Sequence, residues 1–174
     1  IHSPVVNQKK VYRIMKEHGC LCRVRPKKGS KLGKPYHVTD NKLDRDFQVD
    51  KPMEKLVTDI IYLYFGNCRL YLSSIMDLYN REIVAYTISE CQDPDFVPDT
   101  LNQLEIPQGV LLHSDQGSVY TSKAYYQACI EKGITRSMSR KETPADNACI
   151  EWFHPVLKYE TFYLHKWRNL TKVV

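Results

Sequence analysis

The chain has 174 residues, 43% of them apolar, and a formal net charge of +5. That length admits one main domain with a small appendage, and the apolar share is enough for a core. No apolar run approaches the roughly 18–20 residues of a membrane span. The start, Ile1-His2-Ser3-Pro4, is not Met and lacks the regions of a signal peptide, so an excised piece or processed chain is expected.

The charge is unevenly placed. Residues 1–50 hold 12 Lys/Arg against 5 Asp/Glu, and the remainder 13 against 15. A basic arm on a near-neutral body suits a polyanion, although a solvated basic linker has the same composition. Six cysteines are scattered through largely apolar patterns, which points to reduced thiols and a cytoplasmic home. His18, Cys20 and Cys22 lack the second ligand pair that a zinc site needs.

Val11, Ile14, Met15 and His18 recur at helical spacing, with Asn7 as N-cap and Gly19 as the stop. Lys9, Lys10, Arg13 and Lys16 share the other face, which fits a phosphate backbone or an ordinary surface helix equally well. Arg23 to Asp50 reads as a linker, its basic stretch rich in Pro and Gly and mobile until it meets a partner. From Lys55 the pattern turns to strand. Residues 56–65 and 69–77, joined by Gly66-Asn67, form a hairpin, and 83–88 add a third antiparallel strand. Residues 93–104 are weakly helical, with Pro98 confined to a first turn. A fourth strand spans 109–113. A helix over 122–132 follows, with Ala124, Cys129 and Ile130 inward and Gly133 closing it. A fifth strand spans 135–138. Thr143-Pro144-Ala145-Asp146 then starts a last helix, with Thr as N-cap and Pro at its first position. The expected fold is α/β: a mixed five-stranded sheet, three antiparallel strands then two parallel, flanked by helices, with a short helical N-terminal segment.

Three carboxylates stand out. Asp59 lies inside an apolar strand, Asp115 follows the fourth strand, and Glu151 lies in the last helix. An acid among apolar residues is costly to bury without compensation. Acids from two strands and a facing helix can share a site, and divalent metal prefers such hard oxygen ligands. Taken singly, Asp59 also reads as a strand-end cap, and Asp115 and Glu151 as surface charges.

In combination the residues resemble a family. Thirty-five residues separate Asp115 from Glu151. Val57-Thr58-Asp59-Ile60, Leu72 to Val84, His113-Ser114-Asp115-Gln116-Gly117, Ser137 to Lys141 and Asp146-Asn147-Ala148 carry the likeness. The chain is similar to DDE transposases with a retroviral-integrase-like core, and most to insertion-sequence transposases of the IS-three group. The resemblance implies a ribonuclease-H-like fold and a core that hydrolyses a phosphodiester at the element end, then joins the freed 3′-hydroxyl to target DNA. It implies Asp59, Asp115 and Glu151 as catalytic residues and ligands of Mg²⁺ or Mn²⁺, two ions in all. Lys158 would contact a DNA-end phosphate, or be a solvated surface lysine. Arg140 and Lys141 would clamp DNA, as would Lys9, Lys10 and Arg13 on the first helix. His113 and Asn147 would support the acids, or be purely structural. The implied layout is a helical DNA-binding-like segment over 1–25, a basic linker over 26–50 and an integrase catalytic core over 51–174. DNA and further copies of the chain are the expected partners, with no membrane.

The sequence also departs from the family. The loop before the last helix carries Glu142 and Ala145 where Gly and an aromatic are usual. Pro155 sits inside that helix and removes the amide that would bond the Glu151 carbonyl, so a kink or loosened turn at the acid is expected. The chain stops at Val174 where the family's domain continues, so a truncated core is expected. Two other readings stand beside the transposase: a catalytically silent remnant that only binds DNA, and a ribonuclease-H-like nuclease acting on RNA–DNA hybrid.

Overall fold

The structure, a computed structural model, describes residues 7–20, 37–65, 68–105 and 107–164. The chain divides into two compact units, Ile1–Leu32 and Gly33–Val174. In the first, helix α1 (Gln8–Glu17) is closed by the caps its sequence announces. The Asn7 side chain accepts from Lys9 N at 2.9 Å, and Gly19 takes φ +66°. Cys22 lies outside the described residues, as do most of the basic stretch and the Gly66-Asn67 turn.

The second unit is built on one sheet. Strands β1 (Lys55–Phe65), β2 (Cys68–Asp77), β3 (Ile83–Ser89), β4 (Leu111–Ser114) and β5 (Thr135–Met138) lie in the order β3-β2-β1-β4-β5. β1 to β3 form an antiparallel meander, while β4 runs parallel to β1 and β5 to β4. This is the expected mixed sheet. Its central strands are β-branched and apolar because both faces are covered.

Side chains alternate across β1 and so feed two cores. Leu56 joins Phe96, Val97 and Leu101 of α2 (Phe96–Asn102) and Tyr125 and Cys129 of α3 (Lys123–Glu131). Val57 points the other way, into a cluster with Leu43, Met76, Leu78 and Ile150. Ile150 belongs to α4 (Ala148–Val156), which a single 3₁₀ turn over Pro144–Asn147 precedes and a π-wound turn over Leu157–Phe162 continues. Among the described residues no helix is long and apolar enough to cross a membrane.

Four expectations change in detail. Residues 37–50 are not a free linker: Leu43 is 1% exposed, and the amides of Lys42 and Leu43 both donate to Ser137 Oγ. β4 begins at Leu111 because Gly109, at φ +83°, still belongs to a turn. Ile130 faces outward, since α3 buries Tyr125 and Cys129, four residues apart, and Ile130 lies one step past that line. Winding loosens downstream of Pro155 rather than at Glu151, with α geometry kept through Val156 and π geometry after it.

Candidate active site

Strand register sets the first two acids. β1 and β4 pair Leu56 with Leu112 and Val57 with His113. Carried two residues on, that register sets Asp115, one residue past the end of β4, beside Asp59. Asp59 shares the strand face of Val57 and therefore faces α4. Asn147 Nδ2 donates to the Thr58 carbonyl at 3.3 Å, and Ile150 packs in the cluster of Val57. These contacts hold the helix on β1 and place Glu151, in its first turn, in a cleft with Asp115. The cleft measures about 350 Å³ and is lined by Asp115, Gln116, Gly117, Ser139 to Pro144, and Glu151.

The acids feel one another. Burial, then repulsion from Asp115 and Glu151, pushes the Asp59 carboxyl up to about 7, against the Ile60 amide and Lys158, which pull it down. Asp115 reaches solvent at the mouth, yet burial of its carboxyl raises its pKa against the Gly117 amide, which donates to Oδ1 at 2.8 Å. Glu151 is raised by burial and by Asp115. Among the described residues no Lys or Arg forms an ion pair with any of the three. Asp115 and Glu151 share the cleft and Asp59 is near enough to feel both, but the three do not meet at a point: among the described residues no three His, Cys, Asp or Glu side chains are grouped to hold one ion.

Gly117 has a steric reason. A Cβ there would stand 2.9 Å from Asp115 Oδ1, so only glycine leaves that carboxyl where it is.

The supporting residues divide. His113 is fully buried, with Nδ1 2.8 Å from Ser137 Oγ and Nε2 2.9 Å from Ser139 Oγ, so it ties β4 to β5 and to the loop beyond. Burial lowers its pKa to about 4, keeping the ring neutral. Arg140 and Lys141 line the cleft. Arg140 is engaged by the protein itself: its Nε and Nη2 each donate to Asp146 at 2.8 Å. Asp146, with no exposed side-chain surface, also accepts from Arg45 Nε at 2.8 Å and Asn41 Nδ2 at 3.0 Å, and the Arg140 guanidinium holds its carboxyl far below the usual range. Lys158 is half-buried and acts electrostatically on both Asp59 and His154. Lys9, Lys10 and Arg13 are exposed on α1, with Arg13 3.7 Å from Glu17.

The sequence reading missed one group. His154, buried one turn beyond Glu151, places Nδ1 3.4 Å from Asp59 Oδ2. Burial, then Lys158, lowers its pKa to about 4. Spacing was the available signal, since a residue three after Glu151 shares its helical face.

The integrase core domain matches residues 49–144, more than half of the chain. The chain belongs to the integrase core domain family. That match ends before Glu151, so the third acid of this integrase core rests on its geometry here. Relatives are transposases. InsK, assigned to insertion sequence element IS150 of Escherichia coli K12, is 36% identical over 97% of this chain and 61% of its own length. A transposase-like protein of Haemophilus influenzae is 38% identical over 91% of this chain and 75% of its own. The InsF transposase of insertion sequence IS3A, also from Escherichia coli K12, is 32% identical over 72% of this chain and 45% of its own. The chain thus spans from under half to three quarters of these relatives. In fold, the integrase core is similar to a chain of the simian T-cell lymphotropic virus intasome, solved with PP2A regulatory subunit B56 gamma. The TM-score is 0.60 at 16% identity, over 83% of this chain and 51% of that one.

Proposed function

We propose that this integrase core is the catalytic part of an insertion-sequence transposase, a polynucleotidyl transferase dependent on Mg²⁺ or Mn²⁺. Its reactions are hydrolysis of a phosphodiester at the element end and transfer of the freed 3′-hydroxyl to target DNA. One observation carries this reading: Asp115 and Glu151 line one cleft, both raise the pKa of Asp59 on the neighbouring strand β1, and none of the three has a Lys or Arg ion pair among the described residues. A donor set of hard oxygens with uncompensated charge fits divalent metal. Asp59, Asp115 and Glu151 would hold it. Bound there, two ions would supply Lewis acidity for an in-line displacement at phosphorus.

The chain's own residues do the rest. The Ile60 amide, 2.8 Å from Asp59 Oδ1, fixes one carboxylate, and the Gly117 amide fixes another. Lys158 offers a cation for a DNA-end phosphate and Lys141 one for the DNA held along the cleft. Relatives named as transposases and a neighbour named as an intasome support DNA as substrate and assembly of several copies on paired ends.

The test is metal-dependent nicking and strand transfer on element-end DNA, lost in Asp115→Asn. A silent DNA-binding remnant is favoured by one observation, the failure of the acids to converge as they stand. It would bind the same DNA without nicking it.

A further inference from the structure

Arg136 is a buried cation with no anion beside it. It is 9% exposed, and no carboxylate pairs with it among the described residues. Its guanidinium lies over the rings of Tyr125 and Tyr126, at 5.4 and 5.3 Å. Nη2 donates to the carbonyls of His37 at 2.7 Å and Tyr120 at 3.0 Å, while Nε has no partner. The buried charge of Asp146 receives two arginines, so the contrast is sharp. Ring faces and carbonyl dipoles offset part of the desolvation of Arg136, but they do not neutralise its charge.

Beside it, along the edge strand β5, opens a cavity of about 510 Å³. Its polar lining is His37, Thr39, Lys42, Thr135 and Arg136, and no carboxylate lines it. The Lys42 side chain is exposed, and the acidic cleft shares none of these residues. Cations and hydroxyl donors without an acid are complementary to an oxyanion.

We propose that this cavity binds a phosphate of a nucleic-acid backbone. The proposal rests on the polynucleotide reading above and adds a second anchoring point to it. β5 connects the two places, since Arg136 lies three residues before Ser139, which lines the acidic cleft. At about 3.3 Å per strand residue their backbone separation along β5 is about 10 Å. The Arg136 side chain meets α3 on one face of the sheet, whereas Ser139 meets His113 on the other, so a backbone seated at the acids reaches the cavity by passing around this edge strand.

The experiment measures binding of a fluorescein-labelled duplex by anisotropy across a salt series, in chelator, so that no catalysis is required. Lys42→Gln, at an exposed position, should weaken binding about threefold to tenfold and reduce the slope of log affinity against log salt by about 1. Arg136→Gln should do the same or more, but it also loosens the His37 and Tyr120 carbonyls, so Lys42→Gln decides. Lys123→Gln, an exposed lysine outside the cavity, should leave the slope unchanged. In parallel, inorganic phosphate should raise the melting temperature of the wild type and not of Lys42→Gln. An unchanged slope in Lys42→Gln overturns the proposal. If phosphate protection is lost in that variant while the DNA slope stays, the cavity takes free phosphate and the nucleic-acid assignment is likewise overturned. A wild type that binds no DNA in any salt would instead refute the polynucleotide reading beneath it.

Discussion

Nδ1 of His154 stands 3.4 Å from Oδ2 of Asp59, and this approach links the helix that carries Glu151 to the strand that carries Asp59. The ring is neutral near pH 7, because burial and Lys158 hold its pKa at about 4. Groups that touch a metal ligand from behind set its orientation, and losing one typically costs about 10–100-fold in metal affinity. His154→Phe should show a loss of that size in calorimetric Mn²⁺ titration. His154→Asn, whose amide nitrogen can take the place of Nδ1, should retain most of the affinity. Equal affinity in all three proteins would remove His154 from any role at the site.

The raised pKa of Asp59 has a definite sign in stability. Its carboxyl titrates at about 7 in the fold, against about 3.9 in an unfolded chain. Between those values the native state holds a proton that the unfolded state has lost, so Asp59 destabilises the metal-free fold increasingly as pH rises, with no further change above about 7. His113 and His154, both lowered to about 4, act in the opposite sense, but they do so in wild type and variant alike. The melting temperature of Asp59→Asn minus that of wild type should therefore grow from pH 4 to 7 and then level off. Melts in chelator across this range check it; a difference independent of pH would contradict the burial and repulsion assigned to Asp59.

Gly117→Ala should leave the fold intact and move Asp115. The new Cβ would stand 2.9 Å from Asp115 Oδ1, and the carboxyl is the part free to yield. A displacement of about 1 Å at a reacting group can cost roughly 100-fold in rate. Strand-transfer assays and a melt on the same sample separate the two effects; a large fall in melting temperature would place the strain in the backbone instead.

Glu142 adopts φ +55°, the left-handed region that side chains avoid. Glu142→Gly should relieve about 1 kcal/mol of backbone strain and raise the melting temperature by about 2–4 °C. A neutral or lower value would mean that loss of the unfolded chain's restriction outweighs the relief.

Pro155 cannot donate to the Glu151 carbonyl, and π winding begins two residues later. Pro155→Ser restores an amide there. It should stabilise the helix by no more than about 3 kcal/mol and increase the helical circular dichroism signal. Activity that rises with it would assign part of any sluggishness in the wild type to the loosened helix.

Much of this was legible in the sequence. The strands announced themselves through β-branched and aromatic runs, and the first helix through the capping chemistry of Asn7. The parallel pairing of β1 and β4, which sets Asp115 beside Asp59, was legible only on condition that the sheet took the order of a mixed α/β layer, which the structure supplies. Other features were hidden for physical reasons. Leu43 is one apolar residue in a polar stretch, and only tertiary packing makes it core. Asp146 looks like any first-turn acid, since its partners Asn41 and Arg45 lie about a hundred positions earlier. Arg140 reads as a free clamp until that buried acid is seen to hold it.

The three carboxylates are not anchored alike. Asp59 sits within the β1–β2 ladder opposite Ser74, whereas Asp115 begins just where strand pairing stops and Glu151 is exposed in the first turn of its helix. The backbone of one acid is thus pinned by strand pairing, while Asp115 is tied by the Gly117 amide and Glu151 rides on its helix. Closure around a cargo of positive charge should proceed toward Asp59 from two sides, leaving the coordinates of β1 undisturbed.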